Sequence, residues 1–162
     1  MWKMNKKTVI RLAILTAVSW WGWRMIKKTL LINPNAEIDT LARTLWGEAR
    51  GEGAKGMQAV ANVITNRVKK GGWYGATFQE VCLKPYQFSC WLDTDPNYDK
   101  LLKVTTKDSQ FAQAVQIATK AYNGELADIT GGATNYHAKS VSPYWAKSMS
   151  KTATIGNHIF YV

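Results

Sequence analysis

The stretch LWGEARGEGAKG, residues 45–56, limits what this chain can fold into more than any other. It sets Glu48 and Glu52 four residues apart and interrupts the run with Gly47, Gly51, Gly53 and Gly56. A solvated helix would carry Glu, Lys and Ala here, because each glycine costs about 1 kcal/mol against alanine in a helix interior. The stretch is therefore read as a turn that holds two carboxylates. The flanking periodicity agrees. Upstream, Ile38, Leu41, Ala42 and Leu45 follow the spacing of one buried helical face, with Asn35 as the cap and Glu37 in the first turn. That helix is expected to fade between Gly47 and Arg50. A second helix starts at Gly53 or Ala54, buries Met57, Val60, Ala61, Ile64 and Val68, and stops at KKGG.

Further on, GATFQEVCLKPYQFSCW reads as a short helix and an irregular loop, and LDTDPNYD as a turn region. Phe111, Ala114, Val115, Ala118 and Tyr122 mark a third helix, stopped by Asn123 and Gly124. Then the period changes. ATNYHA and TIGNHIFYV are rich in aromatic and branched residues and read as β-structure, with AKSVSPYWAKSMSKT as a loop between them. The expected fold class is α+β, mostly α. It is one domain over residues 33–162 with a small C-terminal β element.

Charge sorts the function classes. The net charge of +10 first suggests a nucleic acid or an anionic surface. But residues 1–30 hold seven basic side chains and no acid, which leaves the remainder at only +3. No helix of the body has a basic face, so nucleic acid is not an expected partner. Four of the eight tryptophans also lie in the first 23 residues, around the uncharged run Leu12 to Trp23. Basic flanks and tryptophans suit a membrane interface, although the run is short for a spanning helix. Residues 1–32 are read as a membrane-directed segment, either a signal anchor or a signal peptide. The alternative is an amphipathic helix docked on the body.

The two glutamates of the junction feel opposite helix ends. Glu48 closes the first helix, where the dipole disfavours a negative charge, and burial against Trp46 would act the same way. Glu52 precedes the second helix, where amides favour a carboxylate. One neutral acid beside one ionised acid is an arrangement suited to glycosidic acid–base chemistry. The plainer alternative makes both of them solvated turn acids paired with Arg50 or Arg67. Cys82 and Cys90 are too few for a disulfide framework. In an exported protein one bridge between them would add roughly 2–3 kcal/mol, and in the cytoplasm both would be free thiols. A zinc site is disfavoured, since only His137 and His158 could join them and neither metal-binding spacing occurs.

At this point the residues resemble a family. LARTLWGEARGEGAKGMQAVANVITNRV is similar to the signature of SleB-type cell-wall hydrolases, and VCLKPYQFSCW, GATNYHA, SPYWA and IGNHIFY resemble the later blocks in the same order. The resemblance runs from about Ile38 to Val162 and leaves the N-terminal 30 residues outside. It implies a lysozyme-like fold related to lytic transglycosylases, and cleavage of the β-1,4 bond between N-acetylmuramic acid and N-acetylglucosamine. The position that matches the catalytic acid is Glu48. Phe88, Asn135, Tyr136, His137, Trp145, Asn157 and His158 are expected to line the glycan cleft, with Glu52 and Arg50 in support; Gln87 and Asn66 are weaker candidates. No cofactor or metal is expected. The expected partners are peptidoglycan glycan strands and, through the N-terminal segment, the inner membrane, for a monomer in the cell envelope or periplasm. Such a segment ahead of a muralytic domain also resembles the signal-anchor-release endolysins of phages. The rival class is a non-enzymatic peptidoglycan-binding or membrane-tethered structural module.

Overall fold

A computed structural model describes residues 33–162. The membrane-directed segment expected over residues 1–32 lies outside the described residues. Among the described residues, no helix is long and apolar enough to cross a membrane.

Helix α1 (Pro34–Ala49) begins two residues earlier than a cap at Asn35 would set it. Pro34 takes the first helical position, where its fixed φ helps and its missing N–H costs nothing, so Asn35 lies inside the first turn instead of capping it. Leu41, Ala42 and Leu45 are fully buried, as their spacing requires. Glu37 is buried too, and its carboxylate accepts the Gln79 N–H at 3.0 Å. After a 3-10 turn (Arg50–Glu52), helix α2 (Gly53–Lys70) runs until the Gly71 N–H caps the Arg67 carbonyl.

Helix α2 is buried on two sides. Met57, Val60, Ala61 and Ile64 join the main core with α1 and helix α5 (Ser109–Tyr122). Ala59 and Val63 face a second core made with Ala133, Ile155 and Phe160. The sequence reading located the first side only. The short helix α3 (Phe78–Cys82) is capped by the Thr77 hydroxyl, which accepts the Glu80 N–H. The turn expected at LDTDPNYD passes directly into helix α4 (Tyr98–Lys103), whose Leu101 is buried. Asp108 caps α5 by accepting the Phe111 N–H at 2.9 Å.

Strands β1 (Asn135–Ala138), β2 (Lys151–Ile155) and β3 (His158–Tyr161) form an antiparallel sheet in the order β1-β3-β2. Strand β2 starts inside the segment expected to be loop. Its register slips between Lys151 and Ala153, a bulge that hides the strand's alternation. Tyr136 pairs with Phe160, and Ala138 with His158. Alternation therefore puts Tyr136, His158 and Phe160 on one face of the sheet, and Asn135, His137, Ile159 and Tyr161 on the other.

Candidate active site

Glu48 sits in the last turn of α1, half-buried. Its Oε2 accepts the Tyr136 hydroxyl of β1 at 3.1 Å, and its Oε1 faces the Cys90 N–H at 3.4 Å. A cavity of about 220 Å³ opens beside it, lined by Trp46, Arg50, Ser89, Asp95 and Asn97 among others. The loop that carries Cys90 reaches this position because Gly47 has no side chain. A Cβ at Gly47 would stand 2.6 Å from the Cys90 Cβ. A larger cavity of about 580 Å³ lies elsewhere, lined by Trp73, Tyr74, Leu83 and Lys84. It does not touch Glu48, so chemistry and not size selects the candidate site.

Arg50 supports the site, though not as an ion-pair partner of either glutamate. Its guanidinium donates to the carbonyls of Trp46 and Gly47 at 3.2 and 3.3 Å and to the Asn97 side chain, and it stacks 4.3 Å from the Trp46 ring. A cation thus meets the C-terminal end of α1 beside Glu48. Tyr136 is held as a neutral phenol. Burial, then the charge of Glu48 and the hydrogen bond to it, raise its pKa well above the ordinary value. Its ring stacks on Phe160 and meets His158 edge-on at 5.2 Å. The Nδ1 of His158 is buried without a hydrogen-bond partner.

Glu52 has a different setting. Its two oxygens accept the backbone N–H and the side-chain amide of Asn157, at 2.8 and 2.9 Å. Those bonds, backbone first, lower its pKa. The groups that favour its carboxylate belong to the β2–β3 turn, where the sequence reading assigned that part to the end of α2. Asn157 is thereby committed to Glu52 through its donors. Gly156 makes room for this clamp, since a Cβ there would collide with the Glu52 carboxylate.

The remaining expected cleft residues divide. Tyr136 and His158 share the Glu48 side of the sheet. His137 and Trp145 lie on the opposite face, in edge-on contact at 5.7 Å, and His137 also stacks on Tyr161. Both nitrogens of the His137 ring have protein partners, the Ala138 carbonyl and the Tyr161 hydroxyl. The Asn135 side chain accepts the Thr134 hydroxyl. Phe88 does not point toward substrate: it is 3% exposed and belongs to the main core. Asn66 bonds Asp128 and the Ala133 carbonyl, which pins the loop before β1.

Cys82 and Cys90 are two buried free thiols, not the expected bridge. Burial raises the pKa of Cys82 to about 12. It raises that of Cys90 as well, with the neighbouring charge of Glu48 adding to it. Among the described residues, no cluster of histidine, cysteine and carboxylates could hold a metal ion.

The sequence reading missed Asp95 and Asn97, which lie in a segment read only as turn. It offered Arg67 only as an ion-pair partner for the two glutamates, a pairing not found among the described residues. The signal for Arg67 was present: it follows Ile64 by three residues on an otherwise apolar helical face.

Known proteins share the fold and much of the sequence. The catalytic domain of the Bacillus cereus SleB protein superposes with a TM-score of 0.62 at 29% identity, covering 78% of this chain and 89% of that one. The catalytic domain of the germination-specific lytic transglycosylase SleB from Bacillus anthracis gives 0.61 at 29% identity, covering 78% and 93%. The mostly helical, lysozyme-like fold with a small C-terminal sheet is therefore the one expected. A spore cortex-lytic enzyme of Halalkalibacterium halodurans is 33% identical over 129 residues, 76% of this chain. This chain spans about a third of that relative, 34% of its length. The family model described as cell wall hydrolase matches residues 51–161, beginning just after Glu48. The chain belongs to the cell wall hydrolase family.

Proposed function

We propose that this chain is a peptidoglycan lytic enzyme that cleaves the β-1,4 bond between N-acetylmuramic acid and N-acetylglucosamine, with Glu48 as its acid–base residue. The supporting observation is the setting of Glu48, a half-buried carboxylate lining a polar cavity and hydrogen-bonded to a phenol that stays protonated. The Bacillus anthracis relative is itself named a lytic transglycosylase.

Glu48 in its acid form gives its proton to the glycosidic oxygen, and the bond to the muramic C1 breaks with oxocarbenium character. The new carboxylate keeps the Tyr136 hydroxyl on Oε2 and the Cys90 N–H near Oε1, and bonds to an ionised acceptor are the stronger kind. The same carboxylate then removes the proton from the muramic 6-hydroxyl, whose oxygen closes on C1. The product is a 1,6-anhydro end, and Glu48 is again protonated. Glu52 takes no part, since both its oxygens are engaged by Asn157.

A second reading rests on Asp95, which lines the same cavity. There it would serve a hydrolytic muramidase by activating water. Mass spectrometry of the muropeptides released from purified sacculi separates the two. Anhydro ends that persist in Asp95→Asn support the transglycosylase; reducing ends that vanish in that variant support hydrolysis. Glu48→Gln keeps size but cannot cycle a proton, so its activity should fall by about 10²–10⁴-fold with unchanged melting. A folded, fully active Glu48→Gln would overturn the reading.

The basic, tryptophan-rich segment over residues 1–32 supports a role at the inner membrane, as in a signal-anchor-release endolysin or a bacterial wall-remodelling enzyme. Fractionation of the full chain against one starting near Asn33 tests it. Equal solubility of both, with no membrane pellet for the full chain, would end that part of the proposal.

A further inference from the structure

Arg67 stands on α2 and is 7% exposed, with no carboxylate partner among the described residues. A buried cation is costly unless its hydrogen bonds are used. Its Nε donates to the Thr134 carbonyl at 2.8 Å, and its Nη1 to the Gln87 side-chain carbonyl at 3.2 Å. Its guanidinium carbon lies 5.4 Å from the ring centres of both Tyr74 and Phe88.

The two segments it grips are the two that end on Glu48. Two residues past Thr134, the Tyr136 hydroxyl donates to Oε2. Two residues past Phe88, the Cys90 N–H faces Oε1. Among the described residues, Glu48 itself is the only other side chain that hydrogen-bonds both segments.

We propose that Arg67 is a positioning residue: it ties the Gln87–Cys90 loop to β1 and thereby sets the two donors on the Glu48 carboxylate. The proposal rests on the peptidoglycan-cleaving reading above. Electrostatics support it. Burial lowers the proton affinity of the guanidinium, while the charge of Glu48 acts to restore it. The cation and Glu48 are thus close enough to interact.

The test uses the full chain with soluble uncrosslinked glycan strands. Arg67→Met removes the clamp and should lower kcat by about 10–100-fold, since a misplacement of 1 Å costs about that much. KM should stay within about 3-fold, because Arg67 does not touch substrate. Arg67→Lys, which keeps the charge, should recover part of the loss. A folded Arg67→Met with wild-type kcat overturns the proposal.

Where Arg67→Met does not fold, Gln87→Leu and the cycle of Arg67→Lys with Tyr136→Phe decide. Gln87→Leu should lower kcat several-fold at constant KM. Arg67→Lys should cost less in the Tyr136→Phe background than alone, because it acts through that hydroxyl. Independent, multiplying effects overturn the proposal. The same cycle read by thermal melting needs no turnover, and coupling there should leave the shifts roughly 2–4 °C short of additivity. Wild-type protein inactive on glycan strands but coupled in melting would refute the enzyme and leave the clamp standing. Activity without coupling would do the reverse.

Discussion

Gly47→Ala tests the architecture of the site through one methyl group. In an exposed helix this change would stabilise the protein by about 1 kcal/mol, because alanine has the better helix propensity. Here the added Cβ would lie 2.6 Å from the Cys90 Cβ, 2.9 Å from its Sγ and 3.3 Å from the Leu101 Cδ1. The closest of these, the Cys90 Cβ, is bonded directly to the backbone, so the Cys90 loop must move. Overpacking of this kind costs about 1–3 kcal/mol, and subtracting the propensity gain leaves a net loss of up to about 2 kcal/mol. That corresponds to a drop of up to roughly 8 °C in melting temperature. The Cys90 N–H is already 3.4 Å from Glu48, so a moved loop releases it. Activity on purified sacculi should then fall by about 10-fold or more. Thermal melting and turbidity loss, measured on the same preparation, check both halves. A Gly47→Ala protein that melts higher than wild type and keeps its activity would refute the packing argument.

Glu52→Gln should cost about 1 kcal/mol after solvent screening while leaving much of the activity, which melting and turbidity assays read side by side. Its folded pKa is lowered, so its stabilisation is complete above the unfolded carboxylate range near 4 and is lost as the pH falls through the folded value. Acid melting curves of Glu52→Gln should therefore be flatter than wild type below about pH 5, and parallel curves would refute this. Asp128 should behave in the same sense: burial acts to raise its pKa, but the hydrogen bonds from Thr130, Asn66 and Gly132 outweigh it and hold it low. Asp128→Asn should lose about 1 kcal/mol at neutral pH and less in acid, which melting at the two pH values checks. The two thiols should react with a disulfide reagent only on unfolding, because burial keeps both protonated. Rapid titration of the native protein, or fewer than two thiols in denatured, unreduced protein, would contradict it.

Much of the helical body was legible because its signals are local. The spacing of Leu41, Ala42 and Leu45 and the glycines around Glu48 state a helix, a turn and a helix without reference to anything distant. The sheet-facing side of α2 was not legible. Ala59 and Val63 look like filler in a helix whose apolar side is already assigned, and only contact with Phe160 gives them a purpose. The site shows the same division. Glu48 and Glu52 were visible as a pair, but Glu52 owes its state to Asn157, 105 positions away. His137 and His158 look equivalent in sequence; strand register puts one on each face of the sheet. Phe88 failed as a cleft residue for a related reason, because its neighbour Arg67 arrives from another helix and covers it.

The two-sided burial of α2 has a consequence for the span between Tyr136 and the slot beside Glu48. One wall of that slot, with Glu48, rests on the large side chains Met57, Val60 and Ile64. The sheet that carries Tyr136, which bonds Glu48 without lining that slot, packs on Ala59 and Val63. The span from Glu48 to Tyr136 is therefore a thickness, set by the volume of side chains behind the sheet. A methylene added at Ala59 shims the sheet outward and lengthens the reach from Tyr136 to the carboxylate. Bond length at the acid is thus adjustable from the far side of a helix, at a residue with no polar atom beyond its backbone.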